Sequence, residues 1–402
     1  MLAVARALTR RGHEVVFLSG MSHRDDAERA GASFALLPSA GGSPLHDLRP
    51  YDDATAQARA LGPLLEEVAP DGAVVDTITA GAALAAEAYG IPFASLVVHP
   101  LHLPSRTLPP FGYGRRAGHM PLGRFRDAWM RANNRKDLER ARADLNRGRA
   151  RLGLAPTDGL VGGMSERCVL VATLPSLEIP RPDWPEHAHV VGPCLWDVAG
   201  DGFEPPSGDG PLVLIAPSTA YDGDRMLPSA LDAVARLGVR AILATGASAA
   251  PVTLPAGVTA ALGVRHASIL PHVDAAICNG GHGTVVRALS AGVPLIVVPG
   301  HGDQQENAWR VQRSGAGVQV RFPSPRSVRR GLRRVLARPR FRVAAQGIAS
   351  EAASIEGPAR AADLIEGMLR DAETTEGGLA PAPLPNGGLF STPPRGRRRP
   401  SA

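Results

Sequence analysis

Residues 274–307 read DAAICNGGHGTVVRALSAGVPLIVVPGHGDQQEN, the most informative segment of the chain. An apolar strand over 275–278 runs into a glycine-rich turn over 279–284, and a helix over 285–291 follows. Glycines let a backbone approach a ligand closely, and the first N–H groups of a helix attract anions. The pattern predicts an anion-binding turn. A tight strand-to-helix turn that needs its glycines for geometry alone fits a bare GGxG at least as well.

Outward from this stretch, apolar strands and helices alternate along the chain, which is the pattern of doubly wound parallel sheets in an α/β protein. A segment rich in Gly, Pro and Asp over 196–210 predicts a linker between two α/β units. We therefore predict an N-terminal domain over 1–195 and a C-terminal domain over 211–370. From 371 to 402 the composition predicts a disordered tail. The predicted strands cover 14–18, 73–76, 93–98, 169–172, 190–191, 212–216, 241–244, 275–278 and 295–298. The predicted helices include one that starts near Leu2, one over 79–89 and one over 124–152.

The charge balance raises nucleic acids and membrane surfaces as partners, because the net charge is +6 and the pI is near 9.8. Nine arginines and no acid lie over 321–342. Val328, Leu332 and Val335 recur there at helical spacing, so the arginines are expected on solvated helix faces, and no aromatic residue is interleaved over 326–340 to stack on bases.

No apolar run reaches the roughly 18–20 residues that span a bilayer. Three scattered cysteines indicate reduced, buried thiols. We expect a cytoplasmic protein with no integral membrane segment and no nucleic-acid partner.

The segment 279–307 resembles the nucleotide-diphospho-sugar signature of the GT-B, family 1 glycosyltransferases, especially bacterial enzymes that decorate antibiotics and other natural products. Weaker similarity lies in RGHEVVFLSG, DGAVVDTITAGAALAAEAYGIPFASL and HVVGPCLWD. The resemblance implies a GT-B fold, in which two Rossmann-like, doubly wound parallel-sheet domains face a cleft. It also implies inverting transfer of a sugar from a UDP- or dTDP-sugar donor to a hydroxyl of a hydrophobic small molecule, with no cofactor and no metal ion.

The resemblance carries site roles to individual residues. Asp303 and Gln304 match the acidic residue and the glutamine that hold sugar hydroxyls, and Thr284 matches a hydroxyl that binds phosphate. Asn279 stands where many relatives have a histidine on the diphosphate. The predicted donor-binding residues are Ser218, Thr219, Asn279, Gly280, Gly281, His282, Gly283, Thr284, Asp303 and Gln304.

Three positions concern the nucleoside and a metal ion. Relatives stack an aromatic ring on the base where this chain has Gly263, and they bind ribose with a glutamate where it has Arg287. These departures leave the donor base open. Asp222 and Asp224 resemble the DxD metal motif of another glycosyltransferase fold, but two acids around a glycine are common in loops, and we expect no metal there.

The predicted catalytic residue is Asp76, which matches the aspartate that orients a base histidine in relatives. A helix N-cap before Thr79 explains Asp76 equally well, and both roles can hold together. The strand and loop that carry the base histidine in relatives would lie before Met1. We expect either an upstream extension of roughly twenty residues that carries them or a chain that lacks them, and we favour the extension because an absent central strand would leave buried edges unpaired.

Alternative functions follow from the same residues. A catalytically inert nucleotide-sugar-binding or accessory protein would keep the donor turn without the base. A Rossmann oxidoreductase would need GxGxxG after the first strand, which is absent. The loop over 100–121, rich in Pro, Gly and aromatic residues, suits an acceptor-binding lip. His99, His102, His266 and His272 show no ligand spacing, so each is expected to be a surface or loop histidine.

Overall fold

The computed structural model describes residues 1–38, 50–159, 163–196, 203–217, 226–245, 252–300 and 302–375. The predicted α/β alternation is confirmed, and every pairing between described strands is parallel. The strands of the N-terminal part are β1 (Val16–Ser19), β2 (Ser33–Leu36), β3 (Ala73–Asp76), β4 (Phe93–Val97), β5 (Val169–Val171) and β6 (Ala188–Val190). Its helices are α1 (Leu2–Arg10), α2 (Arg24–Arg29), α3 (Pro50–Val68), α4 (Ala80–Ala88) and α5 (Pro121–Arg151).

The N-terminal strands form two sheets among the described residues. Strands β1 and β2 pair with each other, and the other four lie in the order β3-β4-β5-β6. Asp76 at the end of β3 is in register with Leu96 on β4. The side chains that follow β3 and β4 therefore lie at one edge of the sheet, because parallel strands end on the same side.

The C-terminal part is one six-stranded sheet with helices on both faces. Its strands are β7 (Leu212–Ala216), β8 (Arg240–Thr245), β9 (Val258–Leu262), β10 (Ala275–Cys278), β11 (Leu295–Val297) and β12 (Gly317–Gln319). Its helices are α6 (Met226–Leu237), α7 (His266–Ile269), α8 (His282–Ser290), α9 (Asp303–Ser314), α10 (Pro325–Leu336), α11 (Pro339–Ala353) and α12 (Gly357–Thr375).

The strand order of this sheet identifies where a ligand should bind. The order is β12-β11-β10-β7-β8-β9, so the direction of winding reverses between β7 and β10. Ala216 and Cys278, the last residues of these two strands, are paired. Open α/β sheets bind ligands at the carboxyl ends of their strands at this switch point. The turn that begins at Asn279 lies there.

Helix α12 changes the predicted division of the chain. Its buried residues Ala361, Ala362, Ile365 and Met368 join the core of the N-terminal four-stranded sheet rather than that of the C-terminal sheet. The helix also continues to Thr375, so the tail predicted to begin at residue 371 starts later. Local composition could not reveal this, because the apolar stripe of α12 is recognised only against its packing partner. The predicted disorder over 376–402 concerns residues outside the described ranges.

Two predictions about surfaces can be compared with the structure. On helix α10, Val328, Leu332 and Val335 are buried, and Arg330 and Arg333 are exposed, as the spacing predicted. Among the described residues, no helix is both long enough and apolar enough to cross a membrane.

Candidate functional site

A glycine turn joins strand β10 to helix α8 at the switch point. Gly280 has a φ of +87°, and a Cβ there would lie 2.7 Å from Val297 Cγ1 and 3.1 Å from the Gln304 carbonyl oxygen. Glycine is therefore required by both conformation and space. Helix α8 begins at His282 after Gly281, without a side-chain cap. Its first amides and the positive end of its dipole face the turn, an arrangement that binds anions.

The start of helix α9 closes this turn from the other side. The Asp303 carboxylate accepts hydrogen bonds from the backbone N–H of His282 and from Asn307 Nδ2, at 3.0 Å. Asn307 is fully buried, and its Nδ2 also donates to the Gly280 carbonyl oxygen at 2.9 Å. The fold thus brings Asp303 directly against the glycine turn.

The Asp303 carboxylate lies in a partly dry environment. Burial raises its pKa, and the nearby His99 imidazole, Asn307 and the His282 N–H oppose that rise. An ionised carboxylate is an acceptor only, so the lone pairs of Asp303 that remain suit hydroxyl donors. A sugar hydroxyl is a ligand of that kind.

The His282 side chain is buried at the contact with the N-terminal part, while its backbone lies at the start of α8. Its ring is 8% exposed, with Nδ1 3.4 Å from Asn307 Oδ1 and Nε2 3.3 Å from the Ala172 carbonyl oxygen. Burial lowers its pKa to about 4, so the imidazole is neutral at pH 7. The side chain links the glycine turn to the residue that follows β5 in the N-terminal sheet, and only its backbone belongs to the surface of the turn.

Three other predicted donor residues surround the turn. Thr284 is half-buried in the first turn of α8. The Gln304 side chain accepts the N–H of Gly300 through Oε1 at 2.9 Å, which holds the loop after β11. Asn279 is 5% exposed, directly after β10. The structure therefore brings these side chains to the switch point.

Four residues singled out from the sequence lie outside the described residues. They are Ser218 and Thr219 of the predicted second diphosphate turn, and Asp222 and Asp224 of the DxD pattern. Within the ranges that the structure describes, no three His, Cys, Asp or Glu residues come together as a metal-binding group.

Asp76 supports the helix that follows it. Its Oδ1 accepts the N–H of Ile78 at 2.8 Å, the N–H of Thr79 at 2.9 Å and the Thr79 hydroxyl at 3.0 Å. These bonds hold the turn that leads into α4, whose N-cap is Thr79 without a side-chain cap hydrogen bond, so Asp76 is not the N-cap that was expected. Its Oδ2 makes no hydrogen bond to any described residue, so this oxygen is available for a second partner.

Gly263 and Arg287 are the two positions that depart from the family pattern near the expected nucleoside, and the structure shows what surrounds each of them. Gly263 has a φ of +68°, a conformation that an aromatic residue would adopt only under strain. Arg287 reaches back along α8, with Nη1 3.4 Å from the Gly283 carbonyl oxygen and Nη2 3.5 Å from that of Trp196. A guanidinium therefore stands beside the glycine turn where relatives have a carboxylate.

The lip over 100–121 packs onto the start of α9. The N–H of Gly114 donates to Glu306 Oε2 at 3.2 Å, and Arg321 Nη2 donates to the Gly114 carbonyl oxygen at 2.9 Å. A Cβ on Gly112 would lie 3.7 Å from the carbonyl oxygen of Gly302. The predicted acceptor lip and the predicted sugar-binding pair are thus neighbours.

A buried ion cluster that the sequence did not indicate holds these parts together. Arg310 bonds Glu306 at 3.0 Å, Glu178 at 3.1 Å and the Leu177 carbonyl oxygen at 2.6 Å. Glu178 also accepts the N–H of Leu101 at 2.6 Å. A buried cation with two carboxylates has its charge compensated locally, and here it ties α9 to the N-terminal part. No sequence signal pairs residues so far apart.

Two histidines of the lip region are not simple surface residues. The rings of His99 and His102 are 4.9 Å apart, and His99 lies 5.2 Å from the Phe111 ring. Burial lowers the pKa of His102 to about 4. His99 also interacts electrostatically with Asp303 and His282. Both histidines lie in the loop after β4, as expected, but their rings pack against each other and near Phe111 rather than standing free in solvent.

Comparisons with known proteins agree in fold and chemistry. Residues 228–368 match the family described as erythromycin biosynthesis protein CIII-like, C-terminal domain. The chain is 34% identical over 390 residues to 4'-demethylrebeccamycin synthase of Lentzea aerocolonigenes, which covers 88% of this chain and 92% of that relative.

Two solved structures are similar over nearly the whole chain. The glycotransferase of kitacinnamycin has a TM-score of 0.71 and 22% identity, covering 91% of this chain and 94% of that one. The spinosyn rhamnosyltransferase SpnG complexed with thymidine diphosphate has a TM-score of 0.63 and 21% identity, covering 91% and 95%. At these identities the likeness concerns the fold.

Proposed function

The chain belongs to the GT-B, family 1 glycosyltransferases of natural-product biosynthesis, and we propose that it transfers the sugar of a dTDP- or UDP-sugar to a hydroxyl of a hydrophobic aglycone with inversion at the anomeric carbon. As a member of this family it is a glycosyltransferase that uses a nucleotide-diphosphate sugar. The proposal concerns the donor nucleotide, the accepting group, the stereochemistry and the residues that act.

One observation carries the proposal. The Asp303 carboxylate accepts the His282 N–H at the start of α8, beside the glycine turn. A diphosphate on the first amides of α8 would therefore lie next to a carboxylate that accepts sugar hydroxyls. A nucleotide-diphosphate sugar has these two groups directly joined.

The glycine turn would stabilise the departing diphosphate. The positive end of the α8 dipole and its first amides face the negative charge that develops as the anomeric carbon–oxygen bond breaks. Gly281 has no described heavy atom within 4 Å of the space where a Cβ would stand, which leaves room for phosphate oxygens. The Thr284 hydroxyl would add a donor, and Arg287 beside Gly283 would add positive charge.

Asp303 and Gln304 would hold the sugar, and the sugar hydroxyls would donate to the Asp303 carboxylate. Ser218 and Thr219 would contact the diphosphate from the neighbouring turn after β7, a proposal that rests on the resemblance alone. The likeness of the fold to SpnG complexed with thymidine diphosphate favours dTDP among the donor nucleotides.

The acceptor would lie against the N-terminal part, between the lip and the carboxyl edge of β3 and β4. The lip packs on the first turn of α9, so an acceptor held there would face the sugar. Asp76 would act on the base through its Oδ2, since Oδ1 accepts the N–H groups of Ile78 and Thr79 in the turn before α4. Inversion follows if the acceptor oxygen attacks from the face opposite the diphosphate.

A transfer assay with dTDP- and UDP-sugars against a panel of hydroxylated aglycones tests the proposal. We expect product and free nucleotide diphosphate from the unmodified chain. Asp303→Ala should lower kcat/KM roughly 10- to 100-fold, as expected for lost hydrogen bonds to a charged group. Glu373→Ala, an exposed acid on α12, is the matched control and should change nothing. Tight dTDP or UDP binding without turnover on any acceptor would instead identify an inert nucleotide-sugar-binding protein.

A further inference from the structure

A small cavity lies beneath the lip, at the contact between the two halves. Its volume is about 30 Å³, which holds roughly two or three groups the size of a water molecule. Its wall is formed by the lip, the segment that follows β5 and helix α9, including His102, Arg115, Arg181, Glu306, Trp309 and Arg310. The cavity is therefore small, and several charged groups line it.

One edge of the Arg181 guanidinium has no partner. Nη1 donates to the Leu103 carbonyl oxygen at 2.6 Å, but Nε and Nη2 are buried and form no hydrogen bond to any described residue. The residue as a whole is 9% exposed. Because Nε and Nη2 lie side by side on a planar group, their N–H bonds form the parallel pair that binds the two oxygens of a carboxylate. Buried donors without an acceptor are costly, so a ligand that accepts from both would be stabilised there.

Neighbouring groups hold the Arg181 guanidinium in place. Its Cζ lies 5.2 Å from the centroid of the Trp184 ring, and Trp184 Nε1 donates to the Ala188 carbonyl oxygen at 2.7 Å. Together with the bond from Nη1 to Leu103, these contacts orient the guanidinium before a ligand arrives. A preorganised donor pair loses less entropy on binding than a mobile one.

Two of the arginines at the cavity are not bonded to an acid. Arg310 pairs with Glu306 at 3.0 Å and with Glu178 at 3.1 Å. In contrast, no hydrogen bond or salt bridge joins Arg181 to a described acid. Arg115 Nε is likewise buried with no partner within the described ranges. An anion in the cavity would therefore meet two guanidiniums with unused N–H groups.

The other titratable groups near Arg181 do not replace such an anion. Burial lowers the pKa of Arg181, and the Asp183 and Glu178 carboxylates oppose this change only in part. Burial, His99 and Arg181 lower the pKa of His102 to about 4, so this ring is neutral at pH 7. Its Nδ1 is also buried without a partner among the residues described. The cavity thus combines unused donors with positive charge.

We propose that this cavity binds a carboxylate group. Its two oxygens would accept from Nε and Nη2 of Arg181, and Arg115 would add positive charge at the same cavity. The planar carboxylate fits the volume, whereas a tetrahedral phosphate is larger. Pro104 lines the same cavity and is exposed, so the carboxylate can come from a free small acid or from an acceptor that carries one.

Titration of the full chain with acetate at constant ionic strength tests this site. Acetamide, which has nearly the same size and shape without the charge, is the matched ligand. We expect saturable acetate binding that changes the tryptophan fluorescence, since Trp309 lines the cavity, and that raises the melting temperature. Acetamide should do neither. Arg181→Gln should weaken acetate binding about 10- to 100-fold, as expected for lost hydrogen bonds to a charged group.

Further variants separate the donor pair from the charge and from folding. Arg181→Lys keeps the positive charge but loses the parallel donors, and it should also bind acetate more weakly. Arg115→Gln should weaken binding about tenfold and leaves the bond between Arg181 and Leu103 in place. Arg116→Gln, at the exposed neighbouring position, is the matched control and should leave the Kd for acetate unchanged.

Pairs of acceptors identify the source of the carboxylate, in an assay that rests on the proposed function. Each pair consists of a hydroxylated aromatic acid and its methyl ester. If the acceptor carries the group, Arg115→Gln should lower kcat/KM for the acid about tenfold or more and leave that for the ester within about twofold. Equal changes for acid and ester would identify a free small acid.

Acetate binding no stronger than acetamide binding would overturn the carboxylate site. A Kd for acetate that neither Arg181→Gln nor Arg115→Gln changes would overturn it as well. Because binding is measured without turnover, absence of transfer by the unmodified chain would overturn only the proposed function.

Discussion

Gly280 lies between β10 and α8 with a φ of +87°, and its neighbours leave no space for a side chain. Gly281 is the useful contrast, since its φ of −55° suits any residue and no described heavy atom lies within 4 Å of its Cβ position. At the scale of the residue, two adjacent glycines therefore have different physical reasons to be glycine. The first is needed by the fold, and the second is proposed to make room for the donor.

Alanine at each position separates these reasons. Gly280→Ala should destabilise the protein by about 1–3 kcal/mol, the cost of a strained backbone, and should lower the melting temperature. Gly281→Ala should leave the melting temperature unchanged and weaken dTDP binding, because its methyl group would stand where the diphosphate is expected. Calorimetric melting and dTDP titration measure the two effects. Equal melting temperatures for both variants would contradict this account.

The buried His282 should make stability depend on pH. Its folded pKa of about 4 lies below the ordinary value of 6.5. The unfolded chain therefore binds a proton first as the pH falls, so stability is full above pH 6.5 and is lost between pH 6.5 and 4. The stability lost once the pH has fallen to 4 corresponds to roughly 3 kcal/mol.

Replacing His282 isolates its part of this dependence. In His282→Gln, the fall in melting temperature from pH 7 to pH 4.5 should be smaller than in the unmodified chain. His102, which burial shifts in the same direction, remains in both proteins. An identical fall in the two proteins would show that His282 is not protected from protonation.

Helix α9 contributes to two parts of the structure, one through its first turn and one through its middle. Its first turn carries Asp303 against the glycine turn, and its middle carries Arg310 into the ion cluster with Glu306 and Glu178. The cluster also reaches the lip, because Glu306 accepts the N–H of Gly114. The position of the pair proposed to hold the sugar is thus coupled to the loop proposed to line the acceptor site.

Removing the cation of this cluster should be costly. Arg310→Met leaves Glu178 and Glu306 buried without their partner, and unpaired buried charges of this kind cost about 3–5 kcal/mol. Arg313→Met, on the exposed face of the same helix, should be neutral. Thermal melting of both variants measures the difference. If the two melt together, the cluster does not stabilise the contact between the halves.

In the molecule as a whole, the last described helix packs against the first part of the chain. Helix α12 covers the N-terminal sheet together with α1, and Arg11 pairs with Asp363 at 2.7 Å and with Glu366 at 3.0 Å. The exposed ion pairs contribute little, so the stabilisation comes from apolar contacts. The end of the C-terminal part is therefore structurally part of the N-terminal core.

A core substitution on α12 tests this arrangement. Ile365 is 4% exposed within the N-terminal core, and Ile365→Ala should cost about 2–5 kcal/mol. Glu373→Ala on the exposed face of the same helix is the control. We expect the first variant to lower the melting temperature of the N-terminal part and the second to leave it unchanged. Hydrogen exchange in β4 and β5 would locate the effect, and unchanged protection there would contradict it.

The α/β class, the parallel strands and the glycine turn at the start of α8 could all be predicted from the amino-acid sequence. These features depend on local forces, because apolar runs of a given length and glycines in turns act over a few neighbouring residues. The signature over 279–307 also determined the family. The roles of Ser218 and Thr219, and the strand expected before Met1, stay predictions.

Which distant residues meet depends on the packing of the whole chain. The structure places Asp303 on the buried Asn307 beside the glycine turn, Arg310 between two glutamates, and α12 on the N-terminal sheet. It also places the His282 ring at the contact between the halves, near the Ala172 carbonyl oxygen. Contacts of this range depend on how whole sheets and helices pack, and no local pattern in the chain encodes the pairing of one particular side chain with another.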